Sequence, residues 1–254
     1  MRFASLGSGS RGNALVVEVG RTRVLLDCGF SATETVARLA RLSLRAEDVD
    51  AVVVTHEHDD HLGGVARFAG RFRIPVHATA GTLAAAGAAL ASIETHVVDS
   101  HNPYPIGDLL LEPFPVPHDA REPSQYVFGD GSVRLGVLTD VGMATPHVRA
   151  VLGGCSALVL ECNHDAAMLE ASAYPASLKR RIASPFGHLA NHAASALLAS
   201  LDRSRLRHVI AAHLSEKNNT PELAQTALAV ALGCDPGEVL VATQETGFGW
   251  MTLD

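Results

Sequence analysis

The chain has 254 residues, 47% hydrophobic and 19% charged, with 20 Lys+Arg against 27 Asp+Glu for a net charge of −7. That length buries a sizeable core without disulfides, and the ordered mix of apolar runs with Gly and Pro breaks excludes a disordered or collagen-like chain. The acidic balance argues against a protein that coats nucleic acid through a basic surface, but it leaves room for a local basic groove.

No apolar run reaches the ~18–20 residues needed to span a bilayer. The start, MRFASLGSGS, has no hydrophobic signal core, so a cytoplasmic protein without membrane attachment is expected. Cys28, Cys155, Cys162 and Cys234 form no C-x-x-C pair and read as reduced, buried thiols. Of the 20 cationic residues only Lys179 and Lys217 are lysine, which reads as codon bias; the 13 histidines are the unusual feature.

In chain order, residues 2–6 read as a strand, and Gly7 to Asn13 as a polar, glycine-rich loop. Ala14–Val19 and Arg23–Asp27 are β-branched runs around Gly20-Arg21, a hairpin signal. Ser31 or Thr33 caps a helix carrying Val36, Leu39 and Ala40 at helical spacing. Ala51–Val54 reads as a buried strand, Asp60–Arg71 as a helix and Ile74–His77 as a further strand. Leu109–Thr139 is strand-rich, with a turn at Gly129-Asp130-Gly131-Ser132. Then follow a helix at 144–152, a strand at 157–161, helices near 165–171, 175–184 and 190–200, and a strand at 207–212. Thr220-Pro221-Glu222 starts another helix, and the last strand is placed near Val239–Ala242. No repeat or linker interrupts this pattern, which predicts one domain over 1–254. Hairpins and strand–helix alternations together predict sheets with helices outside.

The sequence Thr55-His56-Glu57-His58-Asp59-Asp60-His61 leaves the apolar run Val52–Val54. Imidazole nitrogen and carboxylate oxygen suit zinc, manganese or iron. His56 and His58, two apart on extended backbone, share one side; Asp60 and His61 project together one turn later. Four donors within six residues exceed the roughly three protein ligands of one open catalytic site, so two metals are expected. Further donors stand at predicted strand ends: His118 in Pro117-His118-Asp119, Asp140 after Leu138-Thr139, and His213 after Ala211-Ala212.

These residues resemble the signature of the metallo-β-lactamase-fold hydrolases: Asp27 after an early strand, H-x-H-x-D-H at 56–61, then His118, Asp140 and His213. The resemblance implies an α/β protein, an αβ/βα four-layer sandwich of two mixed sheets flanked by helices, without a β-CASP insertion. It implies that His56, His58 and His118 hold one metal, that Asp60, His61 and His213 hold a second, and that Asp140 bridges them. Asp27 is then expected behind the ligands, orienting a histidine through its other ring nitrogen.

Two divalent metals serve esters, amides, thioesters and phosphodiesters alike. Ser8, Ser10, Arg11 and Asn13, with the backbone of their loop, are expected to cradle an anionic oxygen. His188, just before a predicted helix, resembles in position the phosphate-contacting histidine of the ribonuclease Z group. The chain is similar end to end to the WalJ/YycJ branch of the fold, which implies a metal-dependent nuclease acting on DNA from the 5′ end. The similarity makes His164 and His188 candidates for phosphate contact or proton transfer, with local positive charge from Lys179, Arg180 and Arg181. Tyr126, Phe186 and Trp250 read as core residues.

The expected mechanism is attack by a metal-bridging hydroxide, with Asp60 orienting the nucleophile and His188 assisting the leaving group. Nucleic acid is the expected partner as substrate, with no obligate protein partner. Two alternatives stay open: hydrolysis of a small molecule (a cyclic phosphodiester or a glyoxalase-type thioester), and a non-catalytic, metal-bearing scaffold. Because ligating histidines must be neutral, metal binding and activity are expected to fall below about pH 6.

Overall fold

A computed structural model describes residues 1–254. The first half carries strands β1 (Arg2–Gly7), β2 (Ala14–Val19), β3 (Thr22–Leu26), β4 (Ala51–Val53), β5 (Val76–Thr79) and β6 (Thr95–Val98). Strands β7 (Tyr104–Ile106), β8 (Leu109–Pro115), β9 (Ser124–Gly129), β10 (Arg134–Leu138), β11 (Ala157–Glu161), β12 (His208–Ala212), β13 (Leu240–Val241) and β14 (Phe248–Thr252) follow. Helices are α1 (Ala32–Arg41), α2 (Asp59–Leu62), α3 (Val65–Phe72), α4 (Ala80–Ala86), α5 (Pro146–Leu152), α6 (Ala166–Ala171), α7 (Ala176–Ile182), α8 (Asn191–Ser200) and α9 (Pro221–Leu232).

The strands form two seven-stranded sheets, ordered β14-β1-β2-β3-β4-β5-β6 and β13-β12-β11-β10-β9-β8-β7. Each sheet joins three antiparallel pairings to three parallel ones, and the change of direction falls at β3 in one sheet and β10 in the other. Ligand sites in such sheets lie beyond the carboxyl ends of the parallel strands.

Strand parity sorts the apolar side chains into three layers. Between the sheets Val24 and Leu26 of β3 meet Val137 of β10 and Val159 of β11. On the outer face of the first sheet Leu25 and Val52 pack with Leu39 of α1 and Phe68 of α3. On the outer face of the second, Leu158 and Leu160 pack with Leu152 of α5, Leu197 of α8 and Leu228 of α9. Both faces of each sheet are thus covered, which is why β11 reads as an unbroken apolar run. This is the expected arrangement of two mixed sheets flanked by helices. No helix is long and apolar enough to cross a membrane.

Local chemistry sets the helix ends. Ser31, not Thr33, caps α1 by accepting from the Glu34 N–H. Thr220 caps α9 ahead of Pro221, and Gly233 closes it in the left-handed conformation. The helix expected over Asp60–Arg71 is instead two, α2 and α3, broken at Gly63-Gly64. A Cβ on Gly64 would stand 1.8 Å from the Phe30 carbonyl oxygen, so close backbone approach forces both the glycine and the break. The strand near Val239–Ala242 is not the last, since β14 returns to pair with β1.

Candidate metal centre

The site is built at one rim, from loops that leave β3, β4, β8, β10, β11 and β12. The apolar run of β4 delivers Thr55 and the histidine segment; His58 caps α2, and Asp60 and His61 stand in its first turn. Side chains that the sequence separates by more than 150 residues meet here: His213 Nε2 lies 3.4 Å from Asp60 Oδ2.

Two donor sets emerge. In the first, His58 Nδ1 lies 3.0 Å from His56 Nε2 and 3.3 Å from His118 Nε2. Ligand nitrogens about 2.0–2.1 Å from one tetrahedral ion stand about 3.3 Å apart, so the spacing fits a shared metal. In the second, Asp60 Oδ2 lies 3.4 Å from Nε2 of both His61 and His213. Asp140 sits between the sets: Oδ2 is 3.0 Å from His61 Nε2, and Oδ1 is 3.9 Å from His118 Nε2 and 3.4 Å from His213 Nδ1. That Oδ2 is buried and accepts no aligned hydrogen bond, as expected of an oxygen that needs a cation. Each of the two sets, and Asp140 together with His56 and His61, keeps its donor atoms within 4.8 Å of one another.

Neighbours behind these donors fix their tautomers. Asp27 Oδ2 accepts from His61 Nδ1 at 2.7 Å and from the Thr55 hydroxyl at 2.9 Å, and its Oδ1 accepts from the Thr55 N–H at 2.8 Å. His118 Nδ1 donates to the Gly187 carbonyl at 3.0 Å, which leaves Nε2 for the first set. Asp27, Asp140 and His213 all have left-handed backbone, with φ of 60°, 50° and 54°. Such strain at three strand ends of one site is characteristic of functional positions.

Electrostatics divides the two sets. Burial, helped by the charge on His61, holds His56 well below its ordinary pKa, and burial likewise lowers His118. Burial opposes a charge on His213 as well, yet Asp140, Asp60 and Glu161 outweigh it and raise its pKa to about 10. His61 is raised in the same way, against burial, by Asp140, Asp27 and Asp60. Burial resists ionisation of Asp60 and Asp140, but the imidazolium charges of His61 and His213 hold both well below the usual carboxylate range. The second set therefore demands positive charge, which a divalent cation supplies while displacing protons.

Glu161, at the end of β11, has no assigned role in the sequence reading. It is fully buried, and its Oε1 accepts from His188 Nδ1 at 2.9 Å and from His213 Nδ1 at 3.1 Å. Its Oε2 accepts the N–H groups of Val141 and Leu189 at 3.0 and 3.1 Å. The signal was an acid closing an otherwise apolar strand beside the one that Asp140 follows. His188 comes from the loop before α8 and lies 3.4 Å from Asp140 Oδ1. Burial lowers its pKa, but the hydrogen bond to Glu161 more than offsets this and raises it. Its Nε2 is turned away from Glu161, and the side chain is 24% exposed.

The glycine-rich loop lies behind the donors. Ser8 Oγ accepts from the His213 N–H at 2.9 Å and donates to Asn13 Oδ1. Asn13 Nδ2 reaches Asp60 Oδ2 at 3.3 Å and His61 Nε2 at 3.1 Å. Ser10 is exposed. Arg11 does not cradle an anion: its guanidinium is held by Glu216 and Glu245. His164 is buried beside His188, in the wall of one cavity. Arg181 pairs with Asp119. Tyr126 is core as expected, and Trp250 is partly buried under the Arg2 guanidinium. Phe186 is not core: it is 58% exposed, because its loop is spent on presenting His188 and on bonding its carbonyl to the Asp119 N–H.

Comparison with known proteins agrees with this architecture. A family model described as a β-lactamase superfamily domain matches residues 22–213. Exodeoxyribonuclease YycJ of Bacillus anthracis is 35% identical over 252 residues, 98% of this chain and 91% of its own. Exodeoxyribonuclease WalJ of Streptococcus pneumoniae (serotype 2, strain D39) is 31% identical over 233 residues, 89% of this chain and 86% of its own. Among solved structures, the metallo-β-lactamase fold protein YhfI from Bacillus subtilis superposes with a TM-score of 0.75 at 15% identity, over 99% of each chain. With the family model spanning most of the chain and relatives matched nearly end to end, the chain belongs to the β-lactamase superfamily and is a metal-dependent hydrolase of metallo-β-lactamase fold.

Proposed function

We propose that this hydrolase is a nuclease that cleaves phosphodiester bonds and degrades DNA from the 5′ end, using two divalent ions (zinc, manganese or iron). His56, His58 and His118 hold one ion, Asp60, His61 and His213 the other, and Asp140 lies between them. The observation that carries the reading is the placement of His188. Its Nδ1 is tied to Glu161 and lies 3.4 Å from Asp140 Oδ1, which leaves Nε2 without a protein partner, and its pKa is raised. The names of the YycJ and WalJ relatives support DNA as the substrate.

Bound divalent metal supplies a water acidified towards neutrality and positive charge against the phosphoryl oxygens. Asp60 would help hold the ion and orient an attacking water through its carboxylate, which Asn13 braces from behind. His188, protonated and held by Glu161, contacts the scissile phosphate and donates its Nε2 proton to the leaving oxygen. Asp27 keeps His61 in the ligating tautomer by accepting its Nδ1 proton. Ser8 and Asn13 act on substrate through the donors they brace; Ser10 is exposed and open to a substrate phosphate.

The test is turnover of four substrates with added Mn²⁺ or Zn²⁺: end-labelled DNA, RNA of the same sequence, bis-nitrophenyl phosphate and a glutathione thioester. DNA degradation that a chelator stops, and that His188→Ala slows about 10²–10⁴-fold, is the expected result. Turnover of the thioester alone overturns the reading.

A further inference from the structure

On the far side of His188 from the donor sets, a cavity of about 480 Å³ opens between α6, α7 and α8. His188 forms its wall toward the metal centre, and His164, His192, Lys179 and Arg180 line the rest together with a largely alanine floor. We propose that this pocket binds the terminal phosphomonoester of a nucleic-acid strand, one subsite from the bond that is cut, and so makes the enzyme select phosphorylated ends. The proposal rests on the nucleic-acid reading above.

Three observations carry it. First, His164 is only 3% exposed and its Nδ1 is buried without a hydrogen-bond partner. Nδ1 is sealed from the cavity, so the ring meets a ligand through Nε2, which makes no hydrogen bond within the protein. Burial lowers its pKa, so at neutral pH it offers a single N–H, suited to a phosphoryl oxygen. Second, the pocket's cations are uncompensated. Lys179 Nζ bonds only the carbonyl oxygen of Glu170, and Arg180 is exposed on α7 with no acidic partner. Against them stands one carboxylate on the lining, Glu170. Two fixed cations match a phosphomonoester, with about −1.5 to −2 charge at pH 7, better than the single charge of a diester. Third, residues of α6, α7 and α8 all line the recess and His188 stands between it and the donor sets, so a strand end seated here lies next to the site of cleavage.

The experiment compares duplex DNA carrying a phosphate or a hydroxyl at the 5′ end, and separately at the 3′ end, on the metal-loaded enzyme. One phosphorylated end should be preferred about tenfold or more in kcat/KM. In Arg180→Ala and Lys179→Ala, both on exposed or half-exposed helix positions, that ratio should fall towards one. Equal rates on all ends, or a preference that survives both substitutions, overturns the pocket while the nuclease reading stands. If no nucleic acid is degraded, a binding arm still decides. Titration with a nucleoside 5′-monophosphate, followed by imidazole ¹⁵N resonances, should shift His164 in the wild type and less in Arg180→Ala. A His164 signal unmoved by the nucleotide overturns the pocket.

Discussion

Replacing Glu161 by Gln keeps the side chain's shape and removes its charge. The two oxygens accept four hydrogen bonds, from the His188 and His213 rings on one side and from the Val141 and Leu189 N–H groups on the other. An amide has one oxygen, so its NH₂ must face two donors whichever way it turns. Facing the backbone, it orphans two buried N–H groups at about 1–3 kcal/mol each. At roughly 2–4 °C per kcal/mol for a chain of this size, Tm should drop by at least about 4 °C. Facing the rings, it forces both imidazoles to keep the proton on Nε2, the wrong atom for a ligand, and metal affinity should fall about 10–100-fold. Calorimetric melting in chelator and Zn²⁺ competition against a chelating dye read the two outcomes on one preparation. An unchanged Tm together with unchanged affinity would refute the positioning role, and so would a normal pH–rate profile, since the raised pKa of His188 depends on this carboxylate.

Metal uptake should expel protons. His61 and His213 carry them in the metal-free site, so Zn²⁺ titration at pH 7 in buffers of different ionisation enthalpy should report proton release, and none would contradict the charge assignment. The raised pKa of His213 stabilises the metal-free fold fully below about pH 6.5. That contribution is lost as pH climbs through about 10. His77 behaves oppositely: burial, and then the neighbouring His96, push its pKa down to about 4. Its contribution is present above about pH 6.5 and lost as pH falls towards 4, worth roughly 1–2 kcal/mol after allowing for partial exposure. A wild-type minus His77→Phe stability difference that stays flat over that interval would refute it. Gly64→Ala should destabilise by about 1–3 kcal/mol, since the new methyl meets the Phe30 carbonyl; melting at the wild-type temperature would contradict the close approach.

The sandwich was legible because parity and burial write themselves into sequence. Runs such as Ala51–Val54 and 157–161 can only be strands covered on both faces. The gathering of donors was legible for a related reason: Asp140 and His213 each follow such a run, His118 follows a strand that alternates instead, and all three strands end at one rim. What escaped is held by partners distant in the chain. Strand β14 pairs with β1 across the whole sequence, and its Phe248-Gly249-Trp250-Met251 carries only a weak alternation. Strands β6 and β7 are short, exposed edges with little apolar signal. Glu161 escaped because a lone acid after four apolar residues looks like a strand end. Only the register, which sets Glu161 against Ala212 just before His213, gives it a purpose.

Five residues other than glycine have left-handed backbone, and they fall into two kinds. Arg73 ends α3, its N–H bonding back to Ala69, and Ser43 follows α1 in the same manner. A helix end asks for the conformation and not for the side chain, so glycine serves better there. Arg73→Gly should therefore raise Tm by about 2–4 °C, from relief of about 1 kcal/mol. Asp27, Asp140 and His213 have comparable φ, but there the turn serves to aim a carboxylate or imidazole into the rim. Asp140→Gly relieves the same strain, yet it should abolish high-affinity metal binding in the dye competition. If Asp140→Gly bound metal as the wild type does, Asp140 would have no role beyond its turn. If Arg73→Gly melted lower, backbone strain would not be what distinguishes the two kinds.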